Sequence, residues 1–167
     1  MELNIQTAEL ALREASESNP GAWADHSRFV AEACKNIASH CKDLSSGQAY
    51  IFGLLHDIGR YAGVSSERHL IDGYRYCMER GWGKAAQICI SHAFMIQDIA
   101  TSIGEFDVSD EDYLFMKEFV ANAVYDDYDR LVQFCDALAM PSGFCLLEKK
   151  KGRSKPECFG VYALRGW

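Results

Sequence analysis

The chain has 167 residues, about half of them hydrophobic, and carries a net charge of −7 with a pI near 5.2. That length suits one domain, residues 1–167, able to bury about two-thirds of the surface its unfolded form exposes. The acidic balance speaks against a nucleic-acid surface, which needs clustered Lys and Arg, and no apolar run approaches the ~18 residues a membrane span requires.

Met1-Glu2-Leu3-Asn4 puts an acid and an amide where an export signal wants a basic residue, so a cytoplasmic protein is expected. The seven cysteines, at positions 34, 41, 77, 89, 135, 145 and 158, form no Cys-x-x-Cys pair. They read as reduced, buried small hydrophobes.

In chain order, Leu3, Leu10, Ala11 and Ala15 recur at helical spacing until Asn19-Pro20-Gly21 stops them. From Trp23 to Cys41 a second stripe runs through Phe29, Val30, Ala33 and Ile37, and His26 falls on it. Ser45 and Gln48 have capping-box spacing, and the following apolar run predicts a buried helix to Gly59 with His56 and Asp57 in its last turn. Residues 61–67 read as a loop, and His69 opens a helix that runs to Arg80. The next helix spans Lys84–Met95, with His92 between Ile88 and Ile96 on one face.

Residues 97–108 read as a helix end and a loop. Ser109 then caps a helix starting at Asp110, with acids in its first turn. A last helix over Asp127–Met140 carries Asp136 on the stripe of Val132, Cys135 and Ala139, and Asp126, Asp127 and Asp129 read as its acidic start. Nothing to this point alternates like a strand, which predicts an all-α bundle. The core is expected over about residues 22–141. The tail, 142–167, holds a basic turn at 149–156 and then a short strand or frayed helix.

His26, His56, Asp57, His69, His92 and Asp136 are therefore six metal-capable residues on or beside apolar faces. An inward carboxylate with no cation on its own stripe is costly to bury. A central cation removes that cost, and neutral imidazole with carboxylate suits a divalent transition ion. His40, beside Ser39 and Lys42, reads as a surface cap.

Trp-Ala-Asp-His26-Ser-Arg-Phe-Val-Ala, Leu-Leu-His56-Asp57-Ile58-Gly59-Arg60 and Phe-Cys-Asp136-Ala-Leu-Ala resemble, in order and setting, the HD superfamily of metal-dependent phosphohydrolases. The resemblance implies an HD-domain helical bundle with His26, His56, Asp57 and Asp136 on a metal. His69 and His92 match positions that the dinuclear branches, such as diadenosine tetraphosphate hydrolases, use for a second ion bridged by Asp57. Arg60 stands where many members have Lys, and it remains a candidate phosphate contact. Ile58, Gly59, Arg60 and Tyr61 lack the acid that the 5′-nucleotidase and alarmone-hydrolase branches place after His-Asp.

The resemblance thus implies a hydrolase of phosphoesters or phosphoanhydrides. Two divalent ions (iron, manganese or nickel, with zinc or magnesium as alternatives) activate a bridging water under the general two-metal scheme. Arg60, and less firmly Lys84, are the expected substrate contacts. The expected partner is a small phosphorylated molecule such as a nucleotide, with no nucleic acid or membrane and with a homodimer allowed. The rivals are a mixed-valent di-iron oxygenase of the same superfamily and an inactive sensor.

Overall fold

A computed structural model describes residues 2–144. The basic turn and the strand or helix expected beyond residue 144 lie outside the described residues. The all-α expectation holds: seven α-helices account for the fold, with one two-stranded sheet of two residues per strand among the described residues.

Helix α1 (Ile5–Ser18) starts where the Asn4 side chain accepts from the Thr7 amide and Thr7 Oγ1 accepts from the Asn4 amide. Helix α2 (Trp23–Ala38) carries His26 in its first turn. Helix α3 (Ser46–Leu55) is capped by Ser45, which accepts from the Gln48 amide; the Gln48 side chain turns away and accepts from Tyr128 Oη, so the reciprocal half of the expected capping box is missing.

Helix α3 also ends sooner than periodicity predicts. It stops at Leu55, His56 is its C-cap, and Asp57 leaves helical geometry at φ −104°, ψ 14° before a 3₁₀ turn over Ile58–Ala62. Apolar spacing continues through Ile58, but the helix does not, because the Asp57 backbone turns the chain toward α4. Gly59 permits that turn: a Cβ there would meet His69 O at 1.9 Å and Gly73 N at 2.4 Å. Backbone approach this close excludes every side chain.

Helix α4 (Arg68–Glu79) and helix α5 (Gly83–Ser91) follow, then a 3₁₀ turn (Ile99–Thr101), α6 (Asp110–Asn122) and α7 (Asp127–Leu138). The last helix ends before Met140 because Ala139–Met140 (β1) pairs antiparallel with Gly143–Phe144 (β2).

Two apolar clusters hold the helices. One unites Leu12, Val30, Cys34, Leu54, Leu55, Ile88, Val132 and Cys135 of α1, α2, α3, α5 and α7. The other joins Leu70, Ile71, Ile90, Phe94, Met116 and Val120. Each fully buried Leu, Ile or Phe contributes roughly 1.5–3 kcal/mol. Helices α4 and α5 feed both clusters, so the residues at their ends, His69 and His92, are held by both. Cys34, Cys77, Cys89 and Cys135 are buried free thiols as expected, while Cys41 is exposed. No helix among the described residues is long and apolar enough to cross a membrane.

Candidate metal centre

The six residues singled out by spacing meet at one place. His26 Nε2 lies 2.8 Å from Asp136 Oδ1, and His56 Nε2 lies 3.7 Å from that same oxygen and 3.9 Å from Asp57 Oδ2. On the other side, His69 Nε2 and His92 Nε2 stand 3.2 and 3.6 Å from Asp57 Oδ1. The His56 and His92 rings meet edge to face with centroids 4.9 Å apart.

Each of three imidazoles is oriented by a carbonyl only three or four residues upstream. His56 Nδ1 bonds Gly53 O at 2.7 Å, His69 Nδ1 bonds Ser66 O at 2.5 Å, and His92 Nδ1 bonds Ile88 O at 3.1 Å. A carbonyl only accepts, so these Nδ1 atoms carry the hydrogens and each neutral ring presents its Nε2 lone pair to the centre. His56 and His92 reach this geometry as the C-caps of α3 and α5. The backbone thus fixes the tautomer.

The consequence is a set of acceptors without donors. His56 Nε2 and Asp57 Oδ1 are buried with no hydrogen-bond partner among the described residues. Such atoms cost on the order of 1–3 kcal/mol each when left unmet. His69 Nε2 is close enough to Asp57 Oδ1 for a hydrogen bond, yet its ring hydrogen goes to Ser66 O. A cation satisfies all of them together. The subsets His26, His56, Asp57 and Asp57, His69, His92 each bring ligand atoms within 4.8 Å of one another, and Asp57 belongs to both. The cluster can hold metal.

The electrostatics favour the ligand forms. Burial pushes His92 down to about 4, with His56 beside it adding to the effect, and burial also lowers His56. Both rings are therefore neutral near pH 7. Burial alone would raise the Asp57 carboxyl, but the Arg60 guanidinium beside it holds it well below the usual carboxylate range. Asp136 is likewise held down against burial, by its hydrogen bond to His26.

Arg60 is placed by the 3₁₀ turn rather than by a helix end. Its Nε donates to Asp57 Oδ2 at 2.7 Å, an η nitrogen stands 3.4 Å from His69 Nε2, and its carbonyl accepts from Asn19 Nδ2 at 2.6 Å. Arg60 also lines a cavity of about 640 Å³ with His26, Asp57, His69, His92 and Asp136. Lys84, the other expected substrate contact, is not on that lining. It pairs with Asp126 at 2.8 Å and Asp129 at 2.6 Å, and this correction has a plain cause: α5 packs on α7 with Lys84 facing the start of α7.

Asp126, Asp127 and Asp129 form the acidic helix start expected from the sequence, which also allows one of them to orient a ligand His from behind, and the structure gives Asp129 a larger role. Its fully buried carboxylate accepts from Lys84, Gln87 and Ser91, and it completes the cap of α7 through the Asp126 amide. Ser91 immediately precedes His92. The spacing of Asp129 from Val132 and Cys135 along α7 is the one signal in the sequence that Asp129 faces inward. His40 bonds the Asn36 carbonyl at the surface, as expected.

A helical bundle with His, His-Asp and Asp converging on one point is consistent with an HD-type bundle. The HDOD domain, an HD-related family, matches residues 8–87, which include His26, His56, Asp57, Arg60 and His69 and stop short of His92 and Asp136. That similarity supports a place in the HD-like superfamily and does not extend to its dinuclear branch. No curated protein and no solved structure matches the chain.

Proposed function

We propose that the protein is a metal-dependent phosphohydrolase that cleaves a phosphoester or phosphoanhydride of a nucleotide-like substrate. The observation that carries this reading is the pair of buried acceptors without partners among the described residues, His56 Nε2 and Asp57 Oδ1, beside a cavity that Asp57 lines. His26, His56, Asp57 and Asp136 would hold one divalent ion, and Asp57, His69 and His92 a second. Iron, manganese or nickel fits this donor set first, zinc or magnesium after them. Divalent ions bound there lower the pKa of a coordinated water toward neutral and polarise a phosphoryl oxygen.

The chain's own residues do the remaining work. Gly53 O, Ser66 O and Ile88 O keep three imidazoles in the ligating tautomer. Arg60 orients Asp57 through Nε and presents its other N–H groups to the cavity, where they offset phosphoryl charge. The test is release of phosphate or nucleotide from a nucleotide panel by manganese-, nickel- or iron-loaded protein without oxygen. Activity appearing only with reduced iron, oxygen consumption and an alcohol-bearing substrate would assign the oxygenase chemistry instead.

A second reading rests on the HDOD match, because HDOD domains often serve as signalling output domains. In it, the helices are retained for partner contacts and the metals, if bound, serve stability alone. Metal-loaded protein that binds its ions and turns over nothing in the panel supports this second reading.

A further inference from the structure

A seventh ionisable side chain faces the cavity, and nothing above uses it. Glu67 lies at the entrance to α4, two residues before His69, and lines the cavity while only 4% exposed. Its Oε1 accepts from Ser102 Oγ at 2.7 Å, and Ser102 Oγ in turn accepts from the Gly104 amide. Among the described residues that is the carboxylate's one hydrogen bond. A carboxylate offers about four acceptor positions, so most of its capacity is unused at the cavity wall.

The position is built. The Glu67 amide bonds Glu105 O, the Glu105 amide bonds Ser66 Oγ, and Asp107 accepts from the amides of both Ser66 and Arg68. Residues 66–68 and 102–107 are thereby clasped together around the carboxylate. Gly104 makes the fit: a Cβ there would stand 1.8 Å from Glu67 Oε1. The clasp also carries Ser66 O, which orients His69.

A carboxylate facing a phosphate site is unfavourable for phosphate itself and favourable for a donor. The rest of the lining agrees. Among the described residues Arg60 is the one Lys or Arg on it, and away from the metal ligands the wall is apolar at Trp23, Ile96, Ile103 and Met140. Among the described residues, a chain of phosphates reaching beyond the ions would meet the Glu67 carboxylate, apolar side chains and the neutral polar groups of Ser65, Thr101 and Ser102, with no second Lys or Arg to offset its charge.

Resting on the phosphohydrolase reading, we infer that Glu67 is a substrate-contacting residue whose carboxylate accepts a hydrogen bond from a hydroxyl or amino group of a singly phosphorylated substrate. The site thus takes a phosphomonoester of a hydroxyl- or amino-bearing alcohol, nucleosides included, in preference to a polyphosphate.

The test is calorimetric binding to the full chain loaded with manganese. Its probes are adenosine monophosphate, which carries such donors, phenyl phosphate, which has none on its ring, and adenosine triphosphate. Glu67→Ala should weaken adenosine monophosphate about tenfold or more and leave phenyl phosphate and metal content within twofold. Gly104→Ala, which displaces the carboxylate and keeps its charge, should do the same and serves if the first variant fails to fold. Equal losses for both monoesters, no loss for adenosine monophosphate, tighter binding of the triphosphate, or no binding to wild type would each overturn the inference. Binding without phosphate release leaves it standing and removes the hydrolase reading alone.

Discussion

His69 Nε2 faces Asp57 Oδ1 across 3.2 Å, two acceptor atoms held against each other by the bond from His69 Nδ1 to Ser66 O. Asp57, His69 and His92 would hold a divalent ion, whose binding would turn this repulsion into ligation and should stabilise the fold. At a metal concentration a hundredfold above Kd the gain is about 2.7 kcal/mol. Thermal melts with and without a chelator should differ by several degrees, the chelated sample melting lower. Equal melting temperatures would show that nothing binds.

The two halves of the cluster should separate by mutation. His69→Ala or His92→Ala is expected to remove about one equivalent of metal and leave the other on His26, His56, Asp57 and Asp136. Elemental analysis of each variant decides this. Two equivalents retained in both would place the second ion elsewhere.

Arg60 touches Asp57 through one nitrogen and has N–H groups left over. Arg60→Ala should reduce kcat by roughly a hundredfold, in line with loss of one positioned charge-stabilising donor. Arg60→Lys should recover part of it. Metal content tells whether the loss arises at the substrate or through a displaced Asp57; an undiminished kcat would remove Arg60 from the chemistry.

Gly59→Ala forces a Cβ into the His69 carbonyl and the Gly73 amide, both backbone and unable to yield cheaply. A cost of about 3 kcal/mol is expected, seen as a lowered denaturation midpoint, together with weaker metal binding because His69 must move. A variant with wild-type stability would mean that the turn relaxes freely.

Asp129 is fully buried and gathers donors from Lys84, Gln87 and Ser91. Asp129→Ala leaves those donors unmet and should cost on the order of 3–5 kcal/mol. Asp129→Asn, which keeps the shape and loses the charge, should cost less. Urea denaturation of the two variants measures the order, and equal losses would show that charge contributes nothing.

The six candidate ligands were legible because each lies on or just beyond the apolar face of a helix, His56 and His92 as C-caps and Asp57 one residue past the α3 cap, so helical spacing reaches them. Glu67 and Asp129 were not. Glu67 faces inward only because residues 102–107 fold back over it, a long-range contact with no local periodicity. Asp129 sits among acids that suit a helix start equally well. Lys84 was misplaced for the same reason: its partner lies 45 residues away on α7. The early end of α3 also escaped detection, since Leu55, His56 and Ile58 keep apolar spacing through a backbone that has left the helix.

Elemental analysis of the purified full-length protein and its Asp57→Ala variant tests the account most directly, since Asp57 contributes to both ligand subsets. About two equivalents of a divalent transition metal in the wild type, and close to none in the variant, is the predicted result. Wild-type protein that takes up no metal, or a variant that keeps its full complement, would contradict it.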